Sequence, residues 1–571
     1  MIDQLWILLC TGLVFLMQGG FMCLESGLTR SKNSINVAVK NLADFGISVI
    51  LFWGFGFGIM FGISQGGWLG SDSFFFSGTN QPDLITFFLF QAMFCGTATT
   101  IISGALAERV KFLAYIFIVV MVSGLIYPLF GHWVWNEQGW LKQLGFLDFA
   151  GSTVVHGMGA WVSFATLTII GSREGRFDEK GKPRKIQGAN LLFAVLGALL
   201  LWLGWLGFNG GSTLAFNSQV PKIILNTVLA GVGGMVATMI LNQLQLGRVE
   251  VEDLINGSIA GLVAITAGCD IIASPLAIIV GVTGAGVTKL VSQTVLKGKI
   301  DDAVDAVAVH GGAGLWGTLC VALFGDLSLI DTGFYRGQLL LIQFLGVAVA
   351  MVWGFGLSWL VLKPLNSFFC LRVSSEAEQM GLNMAEHEAR TDTYELFHVM
   401  DVQAKTQDLT LRAPVEPFTE VGHIATRYND VMDALEDNHR QNMESLEELY
   451  TVTATVVSAV ENEQFSPLDF DVFSQRPDEL GILAQALQKM MTIINQQQQQ
   501  LSQFTGESLP KYSQENILQQ TIIDILNLCF GEISAELEAK IHSNYSLVDL
   551  TNFLKKIITI TSLHDLEIDN K

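Results

Sequence analysis

Long apolar stretches separated by short polar connections run through the first two thirds of the 571-residue chain. A helix needs about 20 predominantly apolar residues to cross a bilayer. Stretches of that length predict eleven transmembrane helices, at residues 5-24, 42-64, 84-107, 112-132, 151-171, 189-208, 222-243, 254-272, 274-296, 303-325 and 337-362. Beyond residue 364 the apolar positions instead recur every three to four residues, as in amphipathic helices.

Charge divides the chain at the same place. Residues 364–571 hold 33 acidic and 13 basic residues, so this part carries −20 of the net charge of −21. The part before it is close to neutral. We predict an all-α membrane protein whose eleven transmembrane helices are followed by an acidic, helical or coiled-coil tail.

The basic residues of the connections indicate the orientation. Alternate connections carry fifteen Lys and Arg residues, whereas the others carry three, Lys142, Lys222 and Arg336. Cytoplasmic loops hold the Lys/Arg excess. The N-terminus is therefore predicted outside and the tail in the cytoplasm, with the chain in the cell inner (plasma) membrane and in contact with lipid.

The cysteines do not indicate a cofactor. Seven are scattered along the chain, without a CxxC pair or a metal-ligand spacing. We therefore predict no metal and no cofactor.

Two segments around histidine resemble each other. Val155-His156-Gly157-Met158-Gly159-Ala160-Trp161 lies in the fifth predicted helix, and Val309-His310-Gly311-Gly312-Ala313-Gly314-Leu315-Trp316 lies in the tenth. Blocks of five crossings insert with opposite orientation, so the pattern predicts two inverted five-helix repeats plus one helix. Transporters built in this way place the substrate path between the repeats, near the midplane.

An imidazole inside the bilayer is expensive unless it faces a partner or a cavity. A single membrane histidine is as often a structural hydrogen bonder as a functional residue. The symmetric pair of His156 and His310 favours a role in a pore. Should the two rings share a hydrogen bond, the pair would form a relay able to accept or pass a proton.

Several further motifs identify a family. The chain resembles the ammonium transporter, methylammonium permease and Rhesus protein family from about residue 5 to residue 390. The resemblance rests on Gly20-Phe21-Met22-Cys23-Leu24-Glu25-Ser26-Gly27, Gly104-Ala105-Leu106-Ala107-Glu108-Arg109, Asp148 to His156, Gly204-Trp205-Leu206-Gly207-Phe208-Asn209-Gly210-Gly211-Ser212 and Asp305 to Gly311.

The resemblance implies roles for single residues and a homotrimeric assembly. It places an outer recruitment site for ammonium at Trp135 and Ser212, supported electrostatically by Asp148. Below that site, the family has an aromatic gate and a histidine-lined path. The implied residues are Phe94 and Phe208 for the gate, Phe90 beside it, and His156 and His310 for the path.

Each assignment has a structural alternative. Trp135 is also typical of an interfacial tryptophan, and Ser212 of a residue at a broken helix end. The phenylalanines alone are indistinguishable from core packing. Asp148 is also placed to cap the helix that follows it, a role compatible with the electrostatic one.

Ammonium suits such a path because it can lose a proton and cross as ammonia, whereas potassium cannot. A bare cation in an apolar path is heavily penalised by lost hydration. One departure is Gly157, where many family members carry isoleucine. The run from Gly157 to Trp161 resembles a subgroup that often carries signalling domains.

The tail begins with a segment, 372–387, that resembles the family's C-terminal segment and closes a membrane domain of residues 1-390. Further on, Glu420-Val421-Gly422 recurs as Glu479-Leu480-Gly481. Each copy follows a connector with prolines and opens a periodic helix, as in HAMP signal-relay modules. We predict two such modules, at 391-440 and 441-505; a plain coiled-coil spacer is the alternative. HAMP modules usually pair as dimers, which does not match a trimer.

Residues 506-571 predict a small helical domain for docking or oligomerisation. The tail has no phosphoacceptor box, no nucleotide-binding glycine loop and no cyclase signature, so an anchored enzyme lacks support. Two hypotheses remain: an ammonium transporter, and an ammonium sensor with little or no flux. Both allow a cytoplasmic signalling protein as partner, and neither involves nucleic acid.

Overall fold

The computed structural model describes residues 1–78, 81–330, 332–461, 470–477, 479–504 and parts of 516–552. The chain divides into two compact units, Met1–Tyr394 and Glu395–Lys571.

The first unit is a bundle of apolar helices. Ten helices among the described residues are long and apolar enough to cross a membrane: Ile2–Leu28, Ser31–Phe61, Pro82–Ala105, Phe112–Gln143, Ser152–Ile170, Leu191–Gly211, Val220–Leu246, Ser274–Lys297, Val307–Phe324 and Arg336–Phe368. Together with the shorter helix Val251–Ile265 they are numbered α1 to α11 in chain order. Phe112–Gln143 contains a turn at 136–139 before its last helical residues.

The eighth predicted crossing is shorter than the apolar run that predicted it. Helix α8 has 15 residues, which span about 22 Å against a hydrocarbon core of about 30 Å. Turns at 266–271 and a bridge between Ile272 and Gly325 complete the predicted stretch. Most of α8 is buried by α7, α9 and α10. The length of the apolar stretch therefore reflects burial in the bundle and not only the length of the helix. Ten helices of membrane-spanning length are thus observed in the described part of the chain, and the eleventh crossing stays a prediction.

Five of the long helices contain a turn of π-helix. These turns are Phe52–Gly56, Val122–Ile126, Ser152–Gly157, Val307–Gly312 and Val352–Leu357. Single π-helical turns inside α-helices are frequently found at functional sites. Two of them open α5 and α10 and carry His156 and His310.

Small residues let helices approach closely. Helices α1 and α6 form the most extensive pair in the bundle, and a Cβ at Gly197 would lie 2.3 Å from the backbone nitrogen of Leu24. Even alanine would therefore separate these helices.

The segment after α11 folds back under the bundle. It contains two short helices, Ser375–Met380 and Leu382–His387. The backbone N–H of Leu382 donates to Asn33 Oδ1 at 2.8 Å, and Asn383 Oδ1 accepts from the backbone N–H of Asn36 at 3.0 Å. These contacts fix the segment to the start of α2.

The second unit begins within helix Asp392–Thr406 and continues with helices Glu420–Glu461, Asp471–Ser474, Glu479–Phe504 and Ala535–Ile541. The connector 407–419 packs on the long helix that follows: Ala413 and Asn429 exchange two hydrogen bonds of 2.9 Å. Both copies of the Glu-x-Gly repeat begin a helix, as predicted. The predicted break at 506–510, Pro467 and most of the predicted domain 506-571 lie outside the described residues.

Candidate functional site

A cavity of about 740 Å³ opens at one end of the bundle. We call it the aromatic cavity because its wall includes Phe57, Phe61, Phe87, Phe90, Phe94, Trp135 and Phe149. Ser212 and Gln91 add polar groups. The predicted recruitment residues Trp135 and Ser212 therefore lie in one cavity.

Stacked aromatic rings close the floor of this cavity. The rings of Phe94 and Phe208 lie 3.9 Å apart at an angle of 14°. Phe90 contacts Phe94 at 4.7 Å, and Trp135 meets it edge-on at 6.1 Å. Phe94 lines the cavity whereas Phe208 lies behind it. Because the stacked rings leave no room for a guest between them, passage beyond the cavity requires one of them to turn.

The polar groups of Trp135 and Ser212 are held in place. The indole N–H of Trp135 donates to the carbonyl of Asp148 at 2.8 Å, and the Ser212 hydroxyl donates to the carbonyl of Phe208 at 2.8 Å. With its proton so engaged, the hydroxyl oxygen retains its capacity to accept. A donor such as ammonium can therefore bind there.

The side chain of Asp148 serves the helix that follows. Its two oxygens accept the backbone N–H groups of Gly151, Ser152, Thr153 and Val154 at 2.8–3.0 Å. This is the capping role anticipated from the sequence. Asp148 is not among the residues that line the aromatic cavity, so any influence on a guest there acts over a distance.

The two histidines lie one behind the other beneath Phe208. The ring of His156 is 5.5 Å from Phe208 and 5.2 Å from His310, and the two imidazoles are nearly parallel at 17°. Neither ring nitrogen of His156 has a hydrogen-bond partner among the described residues. The imidazoles are therefore stacked and share no hydrogen bond in this structure, unlike the arrangement that a direct proton relay requires.

Two aromatic residues beside the histidines were not assigned a role from the sequence. Trp205 stacks on His156 at 5.0 Å and 15°, and its indole N–H donates to Thr266 Oγ1 at 2.9 Å. Phe21 lies 5.9 Å from His310. Both belong to quoted motifs, but hydrophobicity alone cannot distinguish a pore wall from a helix contact.

A second carboxylate mirrors Asp148. Asp302 precedes His310 by eight residues, as Asp148 precedes His156, and its oxygens accept the backbone N–H groups of Val304 and Val307. Each histidine thus lies on a π-helical turn, and an aspartate eight residues before the histidine caps the start of that turn. The equal spacing was a signal available in the sequence.

A buried ionic cluster lies at the opposite end of the bundle. Arg173 binds Asp301 through two hydrogen bonds of 2.8 and 3.0 Å and Glu108 through one of 3.0 Å. Arg109 and Arg176 also pair with Asp301, and Arg30 pairs with Glu108. Burial alone would raise the pKa of Asp301, but the hydrogen bonds and charge of Arg173, with Arg109, hold it well below its usual range.

The cluster extends to the C-terminal segment. Arg372 donates to the carbonyl of Ile170 at 3.0 Å and pairs with Glu378 at 2.7 Å. Glu378 in turn accepts the backbone N–H of Glu174 at 2.7 Å. Helix α5 carries His156. The loop that follows this helix is thereby bound to the segment that leads to the tail.

Taken in order, these elements form a row from the aromatic cavity through Phe94, Phe208 and His156 to His310. Apolar rings surround it, so a guest would lose most of its hydration there. Among the described residues, no three His, Cys, Asp or Glu side chains form a metal-binding group.

Comparison with known proteins agrees with this architecture. The model of the Ammonium Transporter Family matches residues 5–392. The chain is 58% identical over 512 residues to a candidate ammonium transporter of Synechocystis sp., covering 88% of this chain and 95% of that protein. It is 38% identical to ammonium transporter Amt2 of Archaeoglobus fulgidus, over 68% of this chain and 87% of that protein.

Solved structures give the same result. A structure named Sensor Amt Protein is 40% identical, with a TM-score of 0.65, and covers 68% of this chain and 98% of its own. Mep2 of Candida albicans is 25% identical, with a TM-score of 0.62 over 73% of this chain and 94% of its own. The chain therefore belongs to the ammonium transporter family, whose members are multi-pass membrane channels or transporters and not enzymes.

Proposed function

We propose that the chain takes up or senses ammonium through the row of residues between the aromatic cavity and His310, and that its tail reports occupancy of this path. The observation that carries the proposal is the row in which His156 and His310 follow directly beneath the closed gate of Phe94 and Phe208. Ammonium binds between Trp135 and Ser212, loses hydration on passing Phe94 and Phe208, and meets unpartnered imidazole nitrogens beyond them.

The selectivity of such a path follows from its lining. A permanent cation in an apolar passage is penalised by lost hydration, whereas ammonium can transfer a proton to an imidazole nitrogen of His156 and continue as neutral ammonia. The nitrogens of His156 are the polar atoms that the passing nitrogen meets. Potassium has no proton to release and is rejected.

The arrangement in the membrane completes the proposal. We assign α8 as an eleventh crossing. The protein is placed in the cell inner membrane, with its N-terminus outside and its tail in the cytoplasm. The matching Asp–His spacing before α5 and α10 supports two inverted repeats. Assembly as a homotrimer is proposed from family membership.

The tail is proposed to relay the signal through two HAMP-like modules, 391-440 and 441-505. The folding of connector 407–419 onto helix Glu420–Glu461 supports a helix–connector–helix module, with Leu396, Ala413 and Ala425 as its small core. A coiled-coil spacer remains the alternative, and a cytoplasmic protein is the proposed recipient of the signal.

The alternative function is a sensor with little or no flux. It is favoured by the similarity to the structure named Sensor Amt Protein and by the ties from Arg372 and Glu378 to the loop after α5. In this version the same residues bind ammonium, but the gate passes it rarely.

Electrophysiology separates the two versions. Proteoliposomes that contain the full chain are adsorbed on a solid-supported membrane and exposed to steps of ammonium chloride or potassium chloride. A transporter yields currents with ammonium that exceed those with potassium by at least about tenfold, which is a discrimination of about 1.4 kcal/mol. Uptake of radiolabelled methylammonium is measured in parallel because neutral transport gives no current. Equal responses to both cations contradict the proposed path.

Hydrogen exchange tests the relay to the tail. Ammonium is expected to change amide exchange in helices Asp392–Thr406 and Glu420–Glu461. Binding shifts the membrane unit towards one of its conformations, and the proposed relay passes this shift to the tail helices. Potassium chloride at equal ionic strength is the control. Identical exchange with both salts would exclude a reporting role for the tail while leaving transport possible.

A further inference from the structure

A second, smaller cavity lies between α7, α8 and α9, at the end of the bundle where α7 ends. Its volume is about 50 Å³. The lining side chains on which its chemistry depends are the carboxylates of Asp253 and Asp305, the ammonium group of Lys289, and the polar groups of Asn242, Asn256 and Ser292. We call it the lateral cavity; it shares no lining residue with the aromatic cavity.

The lateral cavity carries one uncompensated negative charge. Asp253 is neutralised by Lys289, whose Nζ lies 2.6 Å from its carboxylate. Asp305 instead accepts hydrogen bonds from Ser292 Oγ at 2.8 Å and Asn256 Nδ2 at 3.2 Å. It makes no ion pair with any residue in the described part of the chain. Burial raises the pKa of Asp305 to about 6, so this carboxyl is mostly ionised at pH 7, where the wall has a net charge of −1.

Asn242 is an independent sign that this cavity takes a guest. Its side chain is 2% exposed, and its Nδ2 has no partner among the described residues. A buried polar group left unpaired costs about 1–3 kcal/mol. Rotation of the amide by a half-turn exchanges its nitrogen and oxygen, and in that orientation Asn242 Oδ1 offers the acceptor that an ammonium ion needs.

Size, charge and lining select the guest. About 10–15 Å³ suffices for one water, so the cavity holds a small ion with little accompanying water and excludes organic metabolites. The wall offers a carboxylate, hydroxyls and amides, which suit a cation with several N–H donors. We propose that the lateral cavity binds one ammonium ion, as a second site away from the row that ends at His310. This inference rests on ammonium being the ligand of the proposed function.

Occupancy of this site would act on the start of α10. Asp305 has a φ of 59°, in the left-handed region that few residues other than glycine adopt. Its carbonyl accepts the backbone N–H of Val309 at 2.9 Å, and Thr288 donates to the carbonyl of Ala308. A cation bound to Asp305 thus stabilises the backbone that positions His310, five residues further on.

Hydrogen exchange on the full chain in nanodiscs tests the second site. The loop 299–306 reports on the lateral cavity, and the loop 62–72 reports on the aromatic cavity. Ammonium chloride is expected to slow exchange of loop 299–306 by about tenfold at ten times the dissociation constant. Potassium chloride at the same concentration leaves it unchanged.

Variants that remove negative or positive charge from the cavity wall test whether ammonium binds there. Asp305→Asn and Asn242→Leu are expected to abolish the response of loop 299–306 while the response of loop 62–72 persists. Lys289→Gln frees the carboxylate of Asp253 and is expected to raise ammonium affinity at loop 299–306 severalfold. A variant that only damages the fold would lower affinity, so the sign of this change separates electrostatics from misfolding.

The outcomes that overturn the second site are distinct from those that overturn the proposed path. A response of loop 299–306 that survives Asn242→Leu, that potassium reproduces, or that Lys289→Gln weakens, rejects the site. A wild-type chain whose loop 62–72 ignores ammonium while loop 299–306 responds would instead reject recruitment at the aromatic cavity and leave the lateral cavity standing.

Discussion

Methylammonium uptake is expected to fall by at least about tenfold in His156→Ala and in His310→Ala, and to background in the double variant. Each imidazole offers polar atoms to a nitrogen that has lost its water, and a hydrogen bond to a charged group contributes about 1.5–3 kcal/mol, or about ten- to hundredfold in rate. Alanine leaves an apolar wall in its place. Uptake of radiolabelled methylammonium into proteoliposomes, with equal amounts of inserted protein, measures the loss.

A third histidine supplies the control. His132 is also buried in the bundle, but its Nδ1 bonds the carbonyl of Met60 at 2.9 Å and its Nε2 bonds Ser64 Oγ at 2.7 Å. It does not line the aromatic cavity. His132→Gln is therefore expected to retain uptake even where it lowers thermal stability. Unchanged uptake in the two pore variants, or an equal loss in His132→Gln, would reject the assignment of His156 and His310.

The positions of most membrane helices followed directly from hydropathy. The stretch 151-171 predicted Ser152–Ile170 to within one residue at each end, because a helix buried by its neighbours and by lipid is apolar all round. The same property misplaced the end of α8. Ala267, Cys269, Ile271 and Ile272 are apolar and buried, yet residues 266–271 form turns, and hydropathy does not distinguish a buried turn from a buried helix.

The candidate site was predictable only in part. Motif context identified Phe94, Phe208, His156 and His310, and the structure brings them together in one row. Motifs gave no side-chain geometry, so a shared hydrogen bond between the imidazoles was as reasonable as the stacked pair observed. Asp148 was ambiguous because a helix cap and an electrostatic support need the same residue at the same place.

The ionic cluster shows why charged residues near helix ends are hard to interpret from sequence. The sequence indicates Arg30, Arg109 and Arg173 as charges of predicted cytoplasmic loops, and Arg109 also as the end of a family motif, without indicating an ion pair for any of them. In the structure Arg109 and Arg173 are 0% and 5% exposed and converge on Asp301 from connections far apart in the chain. Sequence spacing carries no information on such long-range pairing.

Replacing Asp301 by asparagine is expected to destabilise the membrane unit by about 3–5 kcal/mol, the usual result of removing one partner from a buried ion pair. Arg109, Arg173 and Arg176 would then face one another without their shared carboxylate. Arg173→Gln removes a positive charge from the same group and is expected to cost less. The apparent Tm of the detergent-solubilised chain, at one fixed scan rate, measures both.

The dependence of stability on pH gives a second, independent measure. Because the folded pKa of Asp301 is held below its unfolded value of about 4, the ion pair contributes its full stability above that value and loses it as the pH falls further. The wild type is therefore expected to lose thermal stability progressively as the pH falls below about 4 and towards the folded pKa, which lies well below that value. Asp301→Asn has no carboxyl to titrate, so its Tm falls less over the same interval.

An exposed arginine on another loop provides the comparison. Arg248 pairs with Glu250, but its side chain is 77% exposed, and an ion pair in water contributes about 0–1 kcal/mol. Arg248→Gln should leave both the Tm and its pH dependence close to those of the wild type. If Asp301→Asn behaves like Arg248→Gln, or retains the acid sensitivity of the wild type, the cluster does not stabilise the link between the loop after α5 and the C-terminal segment. The proposed transmission through Arg372 and Glu378 would then lose its support. A conformational change at α5 can reach the C-terminal segment through these residues only if the cluster holds them in fixed positions.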